Sequence, residues 1–282
     1  MRKPDFLCIG SQKAGTTWLD RNLRQHPQVW MPAVKELHYF DYLFLMEGKF
    51  YHLHHKKVLK GLIEKINKKI DDPNSRITFK YLEGIAKVVF VEKPDDDWYF
   101  SLFDDAPTNC ITGDITPAYS ALPEEGVQYI SKLLTEVKII HIIRNPIKRA
   151  WSCILMGKRE EISNNKKIEI NEWKKGIRAP INQRLSDQKA TVELYSKYFS
   201  LDQIIYVFYD DICHKPLEVL QNICNFLQID YRDSFFEKIA AKRVNANPKH
   251  EMPEEVKNTL VAKYKEQEEW LKQRFNLDNL DL

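Results

Sequence analysis

Between Phe6 and Leu19 the chain reads Phe-Leu-Cys-Ile-Gly-Ser-Gln-Lys-Ala-Gly-Thr-Thr-Trp-Leu, a stretch equipped to hold an anion. Gly10 and Gly15 bracket a tight loop that contains Lys13. The apolar run Phe6 to Ile9 ahead of it suits a buried parallel strand, and Thr16 to Gln25 behind it reads as an amphipathic helix with Trp18, Leu19 and Leu23 inward. Strand, glycine loop and helix in that order turn several backbone N–H groups and a helix N-terminus toward one point, where a phosphate or sulfate would sit. Lys13 adds a full charge beside that nest. Arg144 supplies another at the end of the apolar run Val137 to Ile143. Glu36 and Asp114 stand at or just past the ends of two further predicted strands, Gln28 to Met31 and Cys110 to Gly113. Charged groups gathered at strand C-terminal ends mark the edge of a parallel sheet where ligands bind.

The nucleotide-triphosphate loop Gly-x-x-x-x-Gly-Lys-Ser/Thr is the obvious comparison. Gly10 and Gly15 match its spacing, yet Thr16 takes the position of the lysine and Lys13 lies inside the loop. The strand that should end in a magnesium-holding aspartate runs instead into Arg144-Asn145-Pro146. Two cations without an evident metal ligand suit a donor handled without magnesium, so no metal is expected. A metal-dependent P-loop nucleotide kinase is the alternative reading, and a catalytically degenerate nucleotide-binding module a third.

Gln12-Lys13-Ala14-Gly15-Thr16-Thr17-Trp18-Leu19 resembles the 5′-phosphosulfate loop of sulfotransferases that use 3′-phosphoadenosine 5′-phosphosulfate (PAPS). Ile142-Ile143-Arg144-Asn145-Pro146-Ile147-Lys148-Arg149-Ala150-Trp151-Ser152 resembles the same family's 3′-phosphate motif, an arginine at a strand end followed by a serine in the next helix. Lys35-Glu36-Leu37-His38-Tyr39-Phe40, Gly113-Asp114-Ile115-Thr116-Pro117-Ala118-Tyr119, and Tyr209-Asp210-Asp211-Ile212 with the helix end Asn225-Phe226-Leu227 fit as well, in order, from residue 6 to about residue 275. The Lys-Glu-x-His segment resembles the heparan-sulfate and bacterial branch more than the cytosolic phenol and steroid branch.

That resemblance implies PAPS as donor, PAP as product, and in-line transfer of a sulfuryl group to a hydroxyl of a carbohydrate or small-molecule acceptor. It implies Lys13 on the bridging oxygen, Ala14, Gly15, Thr16, Thr17 and Trp18 around the 5′-phosphate, and Arg144 with Ser152 on the 3′-phosphate. Arg243, in Lys242-Arg243-Val244-Asn245, is the candidate for a late basic loop over the nucleotide. Glu36 is the candidate general base, which calls for partial desolvation and a pKa raised toward working pH. A structural ion pair with Lys35 is the competing reading of Glu36, and His38 is the rival base. His38, Asp114 and Thr116 are candidate acceptor contacts. Ile115 stands where the glycan enzymes often carry lysine, which favours a less charged alcohol over a polyanion. Lys148 and Arg149 read as solvated or phosphate-steering.

Alternating strands and helices imply an α/β fold: a single P-loop-like domain over residues 1–282, with a mainly parallel central sheet flanked by helices on both faces. Residues from about 45 to 108 read as a helical insertion. In it His52, His54 and His55 form a solvated helix face rather than a metal site. Residues 159–180, polar and basic with little apolar period, read as a mobile flap. Lys plus Arg at 43 against Asp plus Glu at 40 is too balanced for a general nucleic-acid or membrane binder. No run reaches transmembrane length, and the chain enters a core strand after five residues, so a cytoplasmic protein is expected. The five cysteines are scattered without a C-x-x-C pair and are expected to be free.

Overall fold

Five apolar runs build one sheet. β1 (Phe6–Gly10), β2 (Val29–Trp30), β3 (Ile111–Ile115), β4 (Lys138–Ile143) and β5 (Ile204–Phe208) lie in the order β2-β3-β1-β4-β5. Every neighbouring pair is parallel, so the sheet is α/β in class with crossovers between its strands. The computed structural model describes residues 1–45, 56–61, 63–64, 78–242 and 250–277.

The helices in chain order are α1 (Thr16–Leu23), α2 (Tyr39–Phe44), α3 (Phe79–Val89), α4 (Asp96–Ser101), α5 (Glu124–Leu133), α6 (Pro146–Gly157), α7 (Arg159–Ser163), α8 (Ile170–Arg178), α9 (Pro180–Ser186), α10 (Gln188–Tyr198), α11 (Tyr209–His214), α12 (Pro216–Leu227) and α13 (Glu254–Phe275). The period-2 alternation of β1 and β4 divides the core between two faces. Leu7, Ile9 and Ile139 pack with Phe40, Tyr99, Phe103, Tyr119, Ile130 and Tyr195, from α2, α4, α5, α10 and the connecting segments. Phe6, Cys8, Ile140 and Ile142 face the other way, onto Leu19 and Leu23 of α1 and Leu220 and Ile223 of α12. Leu7 lies opposite Asp114 on β3 and Ile139 on β4, and the register with β4 shifts between Cys8 and Gly10, where β1 gives way to the glycine loop.

The polar segment 159–180, expected to be a flap, is largely helical. It holds α7 and α8, and α8 places Trp173 and Ile177 one turn apart on a buried face. Those two side chains join Trp151 and Ile154 of α6 and Val256, Leu260 and Tyr264 of α13 in a third apolar cluster. Trp173 and Ile177 at helical spacing, with Ile162, Ile168 and Ile170 packed beside them, anchor a segment that is rich in charged residues. Within the insertion, residues 56–61, α3 and α4 are helical, whereas His52, His54 and His55 lie outside the described residues. All five cysteines are free thiols. Among the described residues no helix is long and apolar enough to cross a membrane.

Candidate functional site

The loop between β1 and α1 owes its path to its glycines. Gly10 sits at φ +137°, and a Cβ there would lie 2.9 Å from the Pro117 carbonyl oxygen. Gly15, at φ +101°, is the N-terminal cap of α1. Ser11 N–H donates to Ile142 O of β4 at 2.9 Å, tying the loop to the neighbouring strand end. The first intrahelical bond of α1 runs from Leu19 N–H to Gly15 O at 3.0 Å, which leaves the amides of Thr16, Thr17 and Trp18 at the helix mouth. Ala14 is fully buried and contributes backbone only. The Trp18 indole points into the core, donating to Ala240 O at 2.7 Å, so its ring is packing rather than a nucleotide contact.

Lys13 is half-buried in this loop with φ 68°. Burial pulls its pKa below the ordinary lysine value, and the positive charges of Arg144, Arg159 and Arg149 push the same way, with Cys153 opposing. Three guanidinium charges thus act on this one lysine, a concentration of positive charge. Arg144 leaves the end of β4 and folds back over the loop: its Nη1 donates to Lys13 O, and the guanidinium lies 4.3 Å from the ring centroid of Tyr209. Ser152 is half-buried on the second turn of α6, which Asn145 caps by accepting from the amides of Ile147 and Lys148 at 2.9 and 3.1 Å.

Arg149 is a correction. Of the two readings offered, solvated or phosphate-steering, the first is overturned: Arg149 is fully buried. Its Nη2 donates to Asn182 Oδ1 and, at 2.7 Å, to Ser186 Oγ, so α9 holds it from the far side of α6. Among the described residues Nε and Nη1 have no hydrogen-bond partner. This buried guanidinium adds to the positive potential that lowers the pKa of Lys13.

A second constellation stands beside the end of β2. Lys35 pairs with Glu36 Oε1, His38 Nε2 lies 3.6 Å from Glu36 Oε2, and His38 Nδ1 lies 2.8 Å from Asp41 Oδ2. Glu36 and His38 both adopt left-handed backbone, at φ 65° and 55°, as Lys13 does. Such conformations in side-chain-bearing residues gather at functional sites. Burial drives the Glu36 carboxyl upward, but the hydrogen bond from His38 and the charge of Lys35 outweigh it and hold the group well below the usual carboxylate range. The expectation of a raised pKa is therefore overturned: two cations compensate the desolvation. For His38 burial works downward, and Asp41 and Glu36 together push it up to about 10.

Asp114 and Thr116 are brought close to this cluster but face inward. Asp114 is 2% exposed and accepts from Thr116 Oγ1 at 2.8 Å, Tyr119 OH at 2.8 Å and Tyr99 OH at 3.1 Å. Burial raises its pKa, while the three hydroxyls and His38 oppose the rise. With Thr116 fully buried as well, neither residue presents its side chain to an acceptor; they brace the strand end behind Tyr39, whose N–H donates to Tyr119 OH at 3.2 Å. Arg243 lies outside the described residues.

A sequence model described as the sulfotransferase family matches residues 4–233, which includes the glycine loop, the Lys35–Asp41 cluster and Arg144. The chain belongs to the sulfotransferase family. Heparan sulfate glucosamine 3-O-sulfotransferase 5 of mouse and of human are each 25% identical over 244 residues, covering 82% of this chain and 55% of theirs. This sulfotransferase thus spans about half the length of the curated relatives it matches. A sulfotransferase from Alicyclobacillus acidocaldarius superposes with a TM-score of 0.66 at 21% identity, covering 99% of this chain and 98% of that one, which shows the shared fold. Those names agree with the branch read from Lys-Glu-x-His. Sequence reasoning did not single out Asp41, Arg149 or Tyr209 in this sulfotransferase. Arg149 and Tyr209 stood within quoted motifs, and Asp41 lies three residues after His38.

Proposed function

We propose that this sulfotransferase moves a sulfuryl group from PAPS to a hydroxyl of a carbohydrate or of a small-molecule alcohol. The observation that carries the reading is the set of cations acting on the loop: Lys13, Arg144, buried Arg149 and Arg159, supplied from two strand ends and two helices. A donor bearing phosphate at both ends of an adenosine answers that concentration of charge, and the residues present fit it. Lys13 and the amides of Gly15, Thr16 and Thr17 would hold the 5′-phosphosulfate; Arg144 and Ser152 would hold the 3′-phosphate, where guanidinium geometry matches phosphate oxygens. When bound, the donor supplies an activated sulfuryl group.

Glu36 is the base in this reading. Held ionised, it has the lone pair a base needs, though the cations that lower its pKa make it a weaker base than the sequence reading called for; His38 carries its own proton between two carboxylates and lacks a lone pair to act. In the transfer the acceptor oxygen bonds to sulfur, the bond from sulfur to the phosphate oxygen breaks, and PAP leaves with that electron pair. Lys13 stabilises the charge developing on the leaving oxygen, an interaction that strengthens toward the transition state. Glu36 takes the proton. A carbohydrate acceptor is supported by the named activity of the mammalian relatives on heparan sulfate glucosamine. Ile115, 3% exposed and packed in the core, offers no cation there, which favours an acceptor of modest charge.

Two measurements test the proposal. Titration calorimetry with PAP should give tight binding, and AMP, which lacks the 3′-phosphate, should bind far more weakly. A screen of hydroxylated acceptors with radiolabelled PAPS should then find transfer. No binding of PAP by folded protein would sink the reading.

A further inference from the structure

Arg144 stands one residue beyond the last paired position of β4, Ile143, so its backbone N–H and C=O have left the ladder that ends at Phe208 of β5. One side chain replaces the lost strand. Gln188, the first residue of α10 and 1% exposed, accepts from Arg144 N–H through Oε1 at 3.0 Å and donates from Nε2 to Arg144 O at 2.7 Å. The same Oε1 accepts from Ser11 Oγ of the glycine loop at 3.3 Å. Ser11 Oγ in turn lies 3.1 Å from Nε2 of His141, a buried imidazole held neutral by burial with its pKa lowered to about 3. With its proton given to Gln188, the hydroxyl accepts from His141. Gln188 is itself fixed by its N–H, which donates to Gln267 Oε1 of α13 at 2.7 Å. Because Arg144 Nη1 bonds back to Lys13 O, the chain Ser11, Gln188, Arg144, Lys13 closes on itself across the two phosphate-binding segments.

We infer that Gln188 is a positioning residue for donor recognition: a single buried amide that sets the aim of Arg144 and locks it in register with the glycine loop. The inference rests on the donor reading above. Only an amide of this length offers both a donor to the carbonyl and an acceptor to the amide of one residue. Glutamate in its place sets an oxygen against the Arg144 carbonyl, and methionine removes both of these hydrogen bonds.

Gln188→Met, Gln188→Glu and Ser11→Ala are titrated with PAP and with AMP, and the apo proteins are followed by hydrogen exchange on peptides containing Arg144 and residues 11–15. The expected result for both Gln188 variants is a PAP-to-AMP affinity ratio about 10-fold lower, the worth of one or two hydrogen bonds. AMP affinity should be nearly preserved and exchange at Arg144 faster. Ser11→Ala should lower the ratio by less, about 3-fold, and add nothing on top of Gln188→Met, since both cut the same link. Equal loss of PAP and AMP affinity, or unchanged exchange at Arg144, overturns the inference and leaves Gln188 as scaffold. If the wild type fails to prefer PAP, the donor reading falls, while the exchange measurement still decides whether the amide holds Arg144. Ser11→Ala, a deletion of one oxygen, provides the readout should the Gln188 variants not fold.

Discussion

Arg144 Nη1 donates to the main-chain carbonyl of Lys13, a residue 131 positions earlier in the chain. The cation assigned to one end of the donor is thereby hydrogen-bonded to the loop assigned to the other. The guanidinium also rests on Tyr209, which fixes its plane.

Arg144→Ala should weaken PAP binding roughly 10- to 150-fold, the range for loss of hydrogen bonds to a charged group. Binding of AMP should fall much less, and the preference for the 3′-phosphate should largely vanish. Calorimetric titration of both nucleotides reads the two numbers directly. A variant that keeps the wild-type preference would remove Arg144 from donor recognition.

Lys13 and Glu36 separate in a different way. Lys13→Ala should cut kcat by about 100- to 1,000-fold, the cost of deleting one preorganised charge aimed at a developing anion. Glu36→Gln should also depress kcat, with donor affinity nearly intact, because in the proposed mechanism the carboxylate serves the acceptor and not the nucleotide. The check is a pair of kcat and PAP affinity measurements on each variant. An unimpaired rate for Glu36→Gln would move the proton to another acceptor.

The parts of this arrangement that were legible in the sequence are those set by local pattern. The apolar runs Phe6 to Ile9 and Val137 to Ile143 fall within a residue of β1 and β4, because a short apolar run bounded by turn residues is readable without partners. The glycine loop announced itself through Gly10 and Gly15. What could not be read depends on distant residues. Arg149 has the composition of a surface residue and is buried only because Asn182 and Ser186, more than thirty positions later, accept its protons. The pKa direction of Glu36 was missed because burial was expected to dominate, whereas Lys35 and His38 neutralise it. In α8 the apolar phase, Trp173 to Ile177, mattered more than the apolar content.

Packing against β3 gives a test of the scaffold that leaves the site residues untouched. A Cβ on Gly113 would lie 2.0 Å from the Phe6 ring, the residue paired with Gly113 across β1 and β3. Gly113→Ala should destabilise the fold by about 1–3 kcal/mol, as overpacking of a filled core does. Phe6→Leu in the same chain should restore part of the loss by vacating the ring edge. Denaturant unfolding of the single and double variants measures it; additive losses would mean that Phe6 is not the obstacle.

The charges around Glu36 make stability depend on pH in a defined direction. His38 is raised from 6.5 to about 10, so its contribution is complete below pH 6.5 and fades as pH climbs toward 10. Glu36 is depressed from 4.5, so its contribution is complete above that pH and is lost on acidification below it. Thermal unfolding should therefore show a Tm that falls between pH 7 and 10 in the wild type. His38→Gln should start lower at pH 6.5 and decline less over the same interval, since it has no proton to release. Glu36→Gln should flatten the acid side and, by taking away one of the two carboxylates facing the imidazolium, also shift the alkaline fall to lower pH. Parallel Tm profiles for wild type and His38→Gln above pH 7 would show that the imidazole is neutral there, and Glu36 would then be paired with Lys35 alone.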